Sequence, residues 1–123
     1  MAEVVRVAAQ GGVTETVEKL SAAIDGAGAK VFAVVDHGAG AVSIGSDVGA
    51  SQLVIFGNPQ VGTPAIEANR LAGLRLPLKV LVYADAGGRC GWRMMIRRRR
   101  WAIWRGLRRM QTIWRGCRAR WAT

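Results

Sequence analysis

The sequence has little of what builds stapled, metal-bound or membrane-spanning proteins. It contains two cysteines and one histidine among 123 residues, which excludes a disulfide framework and leaves too few ligands for a four-coordinate zinc site. No apolar run approaches the roughly 20 residues of a membrane span. The first residues, Met1–Val4, lack the basic segment that begins a secretory signal. We therefore expect a cytoplasmic protein of bacterial type, without a transmembrane segment, metal or cofactor.

Acidic residues are also missing from one whole part of the chain. Residues 89–123 contain no Asp, Glu or Lys, and they hold twelve Arg and all five Trp. Residues 1–88 carry eight acidic and six basic side chains, so the formal charge of +10 combines −2 with +12. We divide the chain accordingly into a body, residues 1–88, and an Arg/Trp-rich tail, residues 89–123.

The body alternates strand and helix patterns. Val13, Val17, Leu20 and Ile24 recur at helical spacing and predict the first helix. A weak helix or loop is expected within residues 38–49, and a short helix is expected to begin at Thr63-Pro64. Apolar, β-branched runs predict four strands, at residues 4–9, 30–36, 52–56 and 78–83. The strand at residues 30–36 is apolar on both faces, which favours a central position in the sheet.

Four segments of the body carry a family signature. Residues 52–59, 61–64 and 76–83, together with residues 31–37, resemble the core of the domain of unknown function 302 family over about residues 13–88. The resemblance implies a small single α+β domain, with helices packed on a curved and largely antiparallel sheet, and a homodimer. It implies no activity.

The tail lacks the last strand that the resemblance implies. Family members follow the Gly87-Gly88 turn with a strand resembling valine-tryptophan-valine-alanine-tyrosine, then asparagine or aspartate, then aspartate-proline. In the frame that starts at the third base of each codon, Met94-Met95 and Met95-Ile96 both force aspartate, and the neighbouring codons can supply the rest. We interpret the tail as an out-of-frame translation from about residue 89, irregular or a spurious helix, which leaves the edge of strand 78–83 exposed.

Read literally, the tail is typical of a nucleic-acid or anionic-membrane binder, because Arg pairs with phosphate and Trp stacks on bases or lies at bilayer interfaces. However, Arg97–Arg100 would point in every direction around a helix, so no ordered face is predicted. The tail is therefore expected to bind polyanions only adventitiously, with affinity that falls as salt rises.

Two short segments of the body hold the candidate site residues. Asp36 and His37 end a strand and could act as general acid and base, or simply form hydrogen bonds there. Gly57 and Asn58 could line a pocket or build a turn, and Thr63 lies in the same signature. No catalytic constellation stands out. We expect a domain that binds a small ligand or a partner protein; the alternatives are an enzyme that uses Asp36 and His37, and a binder that acts through the tail.

Overall fold

The computed structural model describes residues 3–9 and 11–96. They form a five-stranded sheet in the order β1-β5-β4-β3-β2, and every neighbouring pair is antiparallel. The strands are β1 (Glu3–Ala8), β2 (Lys30–Asp36), β3 (Ser51–Gly57), β4 (Leu78–Ala84) and β5 (Cys90–Ile96). The helices are α1 (Val13–Gly26), α2 (His37–Ser43), α3 (Pro59–Ala68) and a 3₁₀ helix (Arg70–Leu74). This architecture confirms the predicted small α+β domain with a largely antiparallel sheet.

The core lies between α1 and one face of the sheet. Alternate residues of β3, β4 and β5 point toward α1, because successive side chains of a strand lie on opposite faces. Their partners on α1 are spaced three and four residues apart, as one face of a helix requires. The buried cluster comprises Val13, Val17, Leu20, Ile24, Val54, Phe56, Val80, Val82, Cys90 and Trp92.

The prediction that the last strand is missing is wrong for residues 90–96. They form β5, which pairs with β4 on one side and with β1 on the other, so the edge of β4 is covered. Cys90 and Trp92 alternate into the core, while Arg93 lies over the Tyr83 ring at 5.1 Å from its centroid. This alternation is enough for a strand despite the basic composition. Residues 97–123 of the tail lie outside the described residues.

The turn before β5 fixes its register. The Asp85 carboxylate accepts hydrogen bonds from the N–H groups of Gly87 and Arg89, both at 2.9 Å. The Asp85 N–H in turn donates to the Arg89 carbonyl at 2.9 Å. Gly88 has a φ of 76°, a conformation that residues with a Cβ rarely adopt. The turn therefore directs the chain back along β4, and the tail's first residues enter the sheet.

Two further expectations are corrected. The strand at residues 30–36 lies at an edge of the sheet, where its apolar side chains Phe32 and Val34 remain 51% and 43% exposed. The helix predicted to begin at Thr63 begins at Pro59, with Asn58 as its cap, so Pro64 lies inside it. In both cases the local pattern correctly indicates strand or helix, but the neighbours in the fold decide its position and start.

Candidate functional site

A cavity of about 330 Å³ opens at one end of the sheet. It lies on the helix-covered face, where β2 begins, β3 ends and β4 begins, and α3 with the following 3₁₀ helix closes over it. This volume falls at the lower end of the range for small-molecule sites. The lining residues are Ala27, Ala29, Phe32, Phe56, Gly57, Asn58, Pro59, Val61, Gly62, Thr63, Ile66, Gly73, Leu76, Pro77 and Leu78.

Two of the glycines that line the cavity have neighbours that approach them to different degrees. A Cβ on Gly57 would lie 3.2 Å from the Phe32 ring and 3.5 Å from Cβ of Pro77, and the first of these contacts is tighter than most. A Cβ on Gly62 would lie 3.4 Å from Leu76 Cδ1, an ordinary packing distance. Gly57 thus lets Phe32 and Pro77 pack close to the end of β3, whereas Gly62 leaves space that a larger side chain would occupy.

Asn58 connects β3 to α3 and contributes a polar group to the cavity. Its Oδ1 accepts a hydrogen bond from the Gln60 N–H at 3.0 Å, which caps α3. Its backbone carbonyl accepts from the N–H groups of Val61 and Gly62, both at 2.9 Å. The side-chain NH₂ of Asn58 bonds to no group in residues 3–9 and 11–96, so two donors remain available to a ligand.

The chemistry of the cavity follows from these groups. Among the described residues, those that line it include no charged side chain. The first N–H groups of α3 are already bonded to Asn58, so the helix start does not offer the free donors that bind phosphates and other anions. The lining suits an uncharged, mainly apolar molecule, with the Asn58 amide and the Thr63 hydroxyl as its polar contacts.

The five predicted site residues do not form one site. Gly57, Asn58 and Thr63 line the cavity, whereas Asp36 and His37 do not. Because β2 and β3 are antiparallel, Asp36 pairs with Gln52 while Gly57 pairs with Lys30 at the opposite end of the strands. The length of the strand, about 20 Å, separates the two groups. Asp36 and His37 therefore lie too far away to line the same cavity as Gly57, Asn58 and Thr63.

Asp36 and His37 have local roles in the structure. Asp36 caps α2 by accepting a hydrogen bond from the Ala39 N–H at 2.9 Å. His37 is the exposed first residue of that helix, and no hydrogen bond joins the two side chains within the described part of the chain. The general acid and base pair considered from the sequence therefore has no supporting contact, and the cap accounts for the aspartate.

Sequence reasoning misses most of the cavity wall. The local pattern places Phe32 in a central strand, and it presents Leu76 and Pro77 only as a connection before β4. The signals that the sequence holds are the aromatic side chain of Phe32 and the Pro77 break next to apolar residues. They become a site only when the ends of β2, β3 and β4 lie side by side.

The cysteine at the start of β5 belongs to the core rather than to the cavity. The Cys90 thiol is free and buried, and its sulfur lies 3.6 Å from the Thr16 hydroxyl of α1. Thr16 itself donates to the Gly12 carbonyl at 2.8 Å. In residues 3–9 and 11–96 no cluster of three or more His, Cys, Asp or Glu side chains could hold a metal ion. No helix among these residues has the length and apolar character needed to cross a bilayer.

Curated proteins with similar sequences are much longer than this chain. It is 41% identical over 85 residues to the fluoride-specific ion channel FluC 1 of Brucella suis, covering 69% of this chain and 34% of that protein. The FluC 1 protein of Brucella abortus gives the same identity and covers 69% and 32%. The chain thus spans about a third of the length of these relatives.

A solved structure and a family model agree with each other. The structure of an uncharacterized conserved DUF302 protein from Bacillus stearothermophilus is 26% identical, covers 76% of this chain and 71% of that one, and superposes with a TM-score of 0.66. The family model described as domain of unknown function DUF302 matches residues 5–95, which includes most of β5. The chain therefore belongs to the family of the domain of unknown function DUF302.

Proposed function

We propose that this domain binds a small, uncharged and mainly apolar ligand in the cavity at the end of the sheet. The observation that carries the proposal is a preformed space of about 330 Å³ with an uncharged lining and two polar groups, the Asn58 NH₂ and the Thr63 hydroxyl, that lack a partner among the described residues. Burial of the apolar part of a ligand supplies the affinity. A hydrogen bond from the Asn58 amide to an acceptor on the ligand supplies the orientation.

Two probes of nearly equal shape test this proposal. α-Tetralone is a bicyclic ketone with one acceptor, and tetralin is the same hydrocarbon without it. Both are expected to bind in the cavity, and α-tetralone to bind about fivefold more tightly, because one net hydrogen bond contributes about 1 kcal/mol. Ligand-observed NMR titrations of the full chain give both dissociation constants.

A cavity-filling variant localises the binding. Gly62→Leu places a side chain in the cavity and is expected to abolish saturable binding of both probes. The matched control is Gly40→Leu in α2, where a new Cβ meets no atom within 4 Å and the position lies outside the cavity. Retained binding in Gly62→Leu, or equal loss in both variants, would contradict the assignment of the site.

A second candidate function is to act together with a fluoride channel. It is favoured by the relatives named fluoride-specific ion channels, in which a segment similar to this chain makes up about a third of the protein. The uncharged lining does not favour fluoride itself as the cavity ligand. A comparison of amide NMR spectra in sodium fluoride and sodium chloride tests this point: we expect no fluoride-specific shift at Asn58 or Gly62, and a saturable shift there would make fluoride the ligand instead.

We further propose that the protein acts in the bacterial cytoplasm and forms a homodimer. The edge strand β2 supports the dimer, because Phe32, Val34 and Val35 are 51%, 43% and 40% exposed there. Sedimentation velocity across a range of concentrations distinguishes a dimer from a monomer. Cell fractionation tests the location.

The shifted reading frame remains a proposal for the tail. It is supported by the two forced aspartates and by the absence of any acidic residue after residue 88. β5 shows that the first tail residues can nevertheless fill the place of the last strand. The coding DNA across codons 85–95 decides the matter: an open third-base frame that encodes the aspartate-aspartate-proline sequence is expected, and a stop codon in that frame would end the proposal. Nucleic-acid or membrane binding through the tail is the alternative, and deletion of residues 97–123 would then remove a cellular function.

A further inference from the structure

We propose that residues 70–75, here called the strap, dock on the surface of an anionic lipid bilayer. The strap comprises the 3₁₀ helix that follows α3 and the residue that ends it. Leu71 and Leu74 are 68% and 84% exposed, among the most exposed large apolar side chains in the described part of the chain. The proposal concerns the strap alone and holds whether or not the cavity binds a ligand.

The geometry of the strap places both leucines on one side. A 3₁₀ helix has three residues per turn, so side chains at i and i+3 lie in line. Leu71 and Leu74 are therefore neighbours on one face. Between them, Ala72 is only 3% exposed and anchors the opposite face against the domain. The strap is thus a fixed element that presents two adjacent leucines to its surroundings.

Backbone and cap hydrogen bonds hold the strap in this position. Asn69 Oδ1 accepts from the Leu71 N–H at 3.0 Å, and the Asn69 carbonyl accepts from the Ala72 N–H at 2.9 Å. At the other end, the Ala72 carbonyl accepts from the N–H groups of Arg75 and Leu76 at 3.0 and 3.2 Å. Little further ordering is required for the leucines to contact a surface.

The charges beside the leucines favour an anionic bilayer as the occupant. Arg70 and Arg75 flank the pair, and both are exposed. Neither forms an ion pair with a carboxylate of residues 3–9 and 11–96, and residues 70–77 contain no acidic residue. Basic residues near the surface attract anionic headgroups, while adjacent apolar side chains insert at the acyl boundary. Two leucines are too small a patch for a stable protein interface, but they suit shallow insertion.

An equally exposed apolar residue elsewhere lacks these features. Ile44 is 83% exposed at the end of α2, and Asp47 follows it closely while no Arg or Lys lies within residues 37–50. Exposure alone would give Ile44 and Leu74 the same affinity for a bilayer. Val42 and Val48, close to Ile44 in the sequence, are also exposed at 68% and 58%, so the strap differs by its flanking cations, and Ile44 is a control within the same molecule.

Docking through the strap would also bring the cavity to the membrane surface. Gly73 of the strap and the next residues, Leu76 and Pro77, form one wall of that cavity. An apolar ligand that partitions into the bilayer would then be concentrated beside the site. Delivery of apolar ligands from the bilayer would account for the apolar lining of the cavity.

Methyl NMR of the full chain in lipid nanodiscs tests the proposal locally. Nanodiscs of phosphatidylglycerol and phosphatidylcholine, with a doxyl spin label high on the acyl chain, broaden signals of groups that enter the bilayer. We expect strong broadening of the Leu71 and Leu74 methyls and little of the Ile44 methyl. The Arg-rich residues 97–123 can bind the same discs, so binding alone proves nothing, and the site of broadening carries the result.

Variants separate the strap from the tail. Replacing both leucines, Leu71→Ser with Leu74→Ser, is expected to lower the partition coefficient on anionic vesicles by about tenfold or more, whereas Ile44→Ser leaves it unchanged. Arg70→Gln with Arg75→Gln should lower it only where the vesicles are anionic. Three outcomes would overturn the proposal. The first is that the leucine methyls stay unbroadened on discs that hold the protein, and the second is that the Ile44 methyl broadens equally. The third is that the leucine and Ile44 variants change the partition coefficient equally. Spectra of each variant in solution confirm that it is folded.

Discussion

Asn58 has two separable roles in this structure, and substitutions there test both. Its Oδ1 caps α3 through the Gln60 N–H at 3.0 Å, and its NH₂ group has no partner among the described residues, while the residue itself lines the cavity. Asn69 provides the matched comparison, because its Oδ1 caps the 3₁₀ helix through the Leu71 N–H at the same 3.0 Å but lies outside the cavity. Both cap residues have extended backbones.

The expected losses of stability are nearly equal. Replacing an Asn cap by Ala costs about 1 kcal/mol of unfolding free energy. Asn58→Ala and Asn69→Ala should each lower the urea midpoint by about 0.5–1 M, since small domains lose roughly 1–2 kcal/mol of stability per molar urea. Asn58→Asp should stay close to wild type, because aspartate is an equally good cap acceptor. Chemical denaturation followed by circular dichroism measures all three.

The expected effects on ligand binding differ between the two sites. Asn58→Ala and Asn58→Asp both remove the amide donors, so α-tetralone should bind about fivefold more weakly while tetralin binding to the Ala variant is unchanged. Asn69→Ala should leave both probes unaffected. The reasoning is refuted if Asn58→Ala is as stable as wild type, or if Asn69→Ala weakens α-tetralone as much as the Asn58 variants do.

Three further predictions concern the fold. Trp92→Ala should lower the unfolding free energy by about 3–5 kcal/mol in urea denaturation. Arg93→Ala, on the opposite face of β5, should change it by less than about 1 kcal/mol. If both variants lower it by less than about 1 kcal/mol, β5 does not pack as described. Gly88→Ala should cost about 1–2 kcal/mol, because Gly88 has a φ of 76°, and an unchanged midpoint would contradict that turn. The hydrogen bond and charge of Lys19, 3.0 Å away, hold the pKa of Glu15 below its usual value. The pair therefore stabilises the fold fully above that usual pKa, and the stabilisation is lost as pH falls through the lowered pKa. The small difference in melting temperature between wild type and Glu15→Gln should shrink between pH 7 and pH 3, and a difference that grows would contradict this sign.

Much of the fold could be predicted from local patterns. The bounds of β2 match the predicted residues 30–36, and β4 exceeds the predicted 78–83 by one residue. The first helix extends over Val13–Gly26, where apolar residues recur at helical spacing. These elements are specified by short-range periodicity, which a single sequence displays directly.

The last strand could not be predicted because its composition hides its alternation. Twelve arginines after residue 88 suggest a segment without a place in the core. However, a strand needs only alternate apolar side chains, and Cys90 and Trp92 provide them on the side that faces α1. The turn at Asp85–Gly88 is typical of a hairpin, and it outweighs the basic composition of residues 89–96.

Only part of the candidate site could be predicted from the sequence, because local patterns do not report which strand ends lie together. Gly57, Asn58 and Thr63 lie in one continuous signature, so their common location could be inferred from the sequence. Asp36 and His37 belong to another segment, and antiparallel pairing of β2 with β3 places them at the other end of the strands. Residues such as Leu76 reach the cavity only through the path of the chain over the sheet end, which no local pattern reports.

The most direct test of the central claim is an amide NMR titration of the full chain with α-tetralone. If the cavity is the ligand site, the shifts will saturate together and concentrate at Gly57, Asn58 and Gly62, with no change at Asp36 and His37. Saturable shifts centred on Asp36 and His37, or no saturable shift at any residue up to the solubility limit, would contradict it.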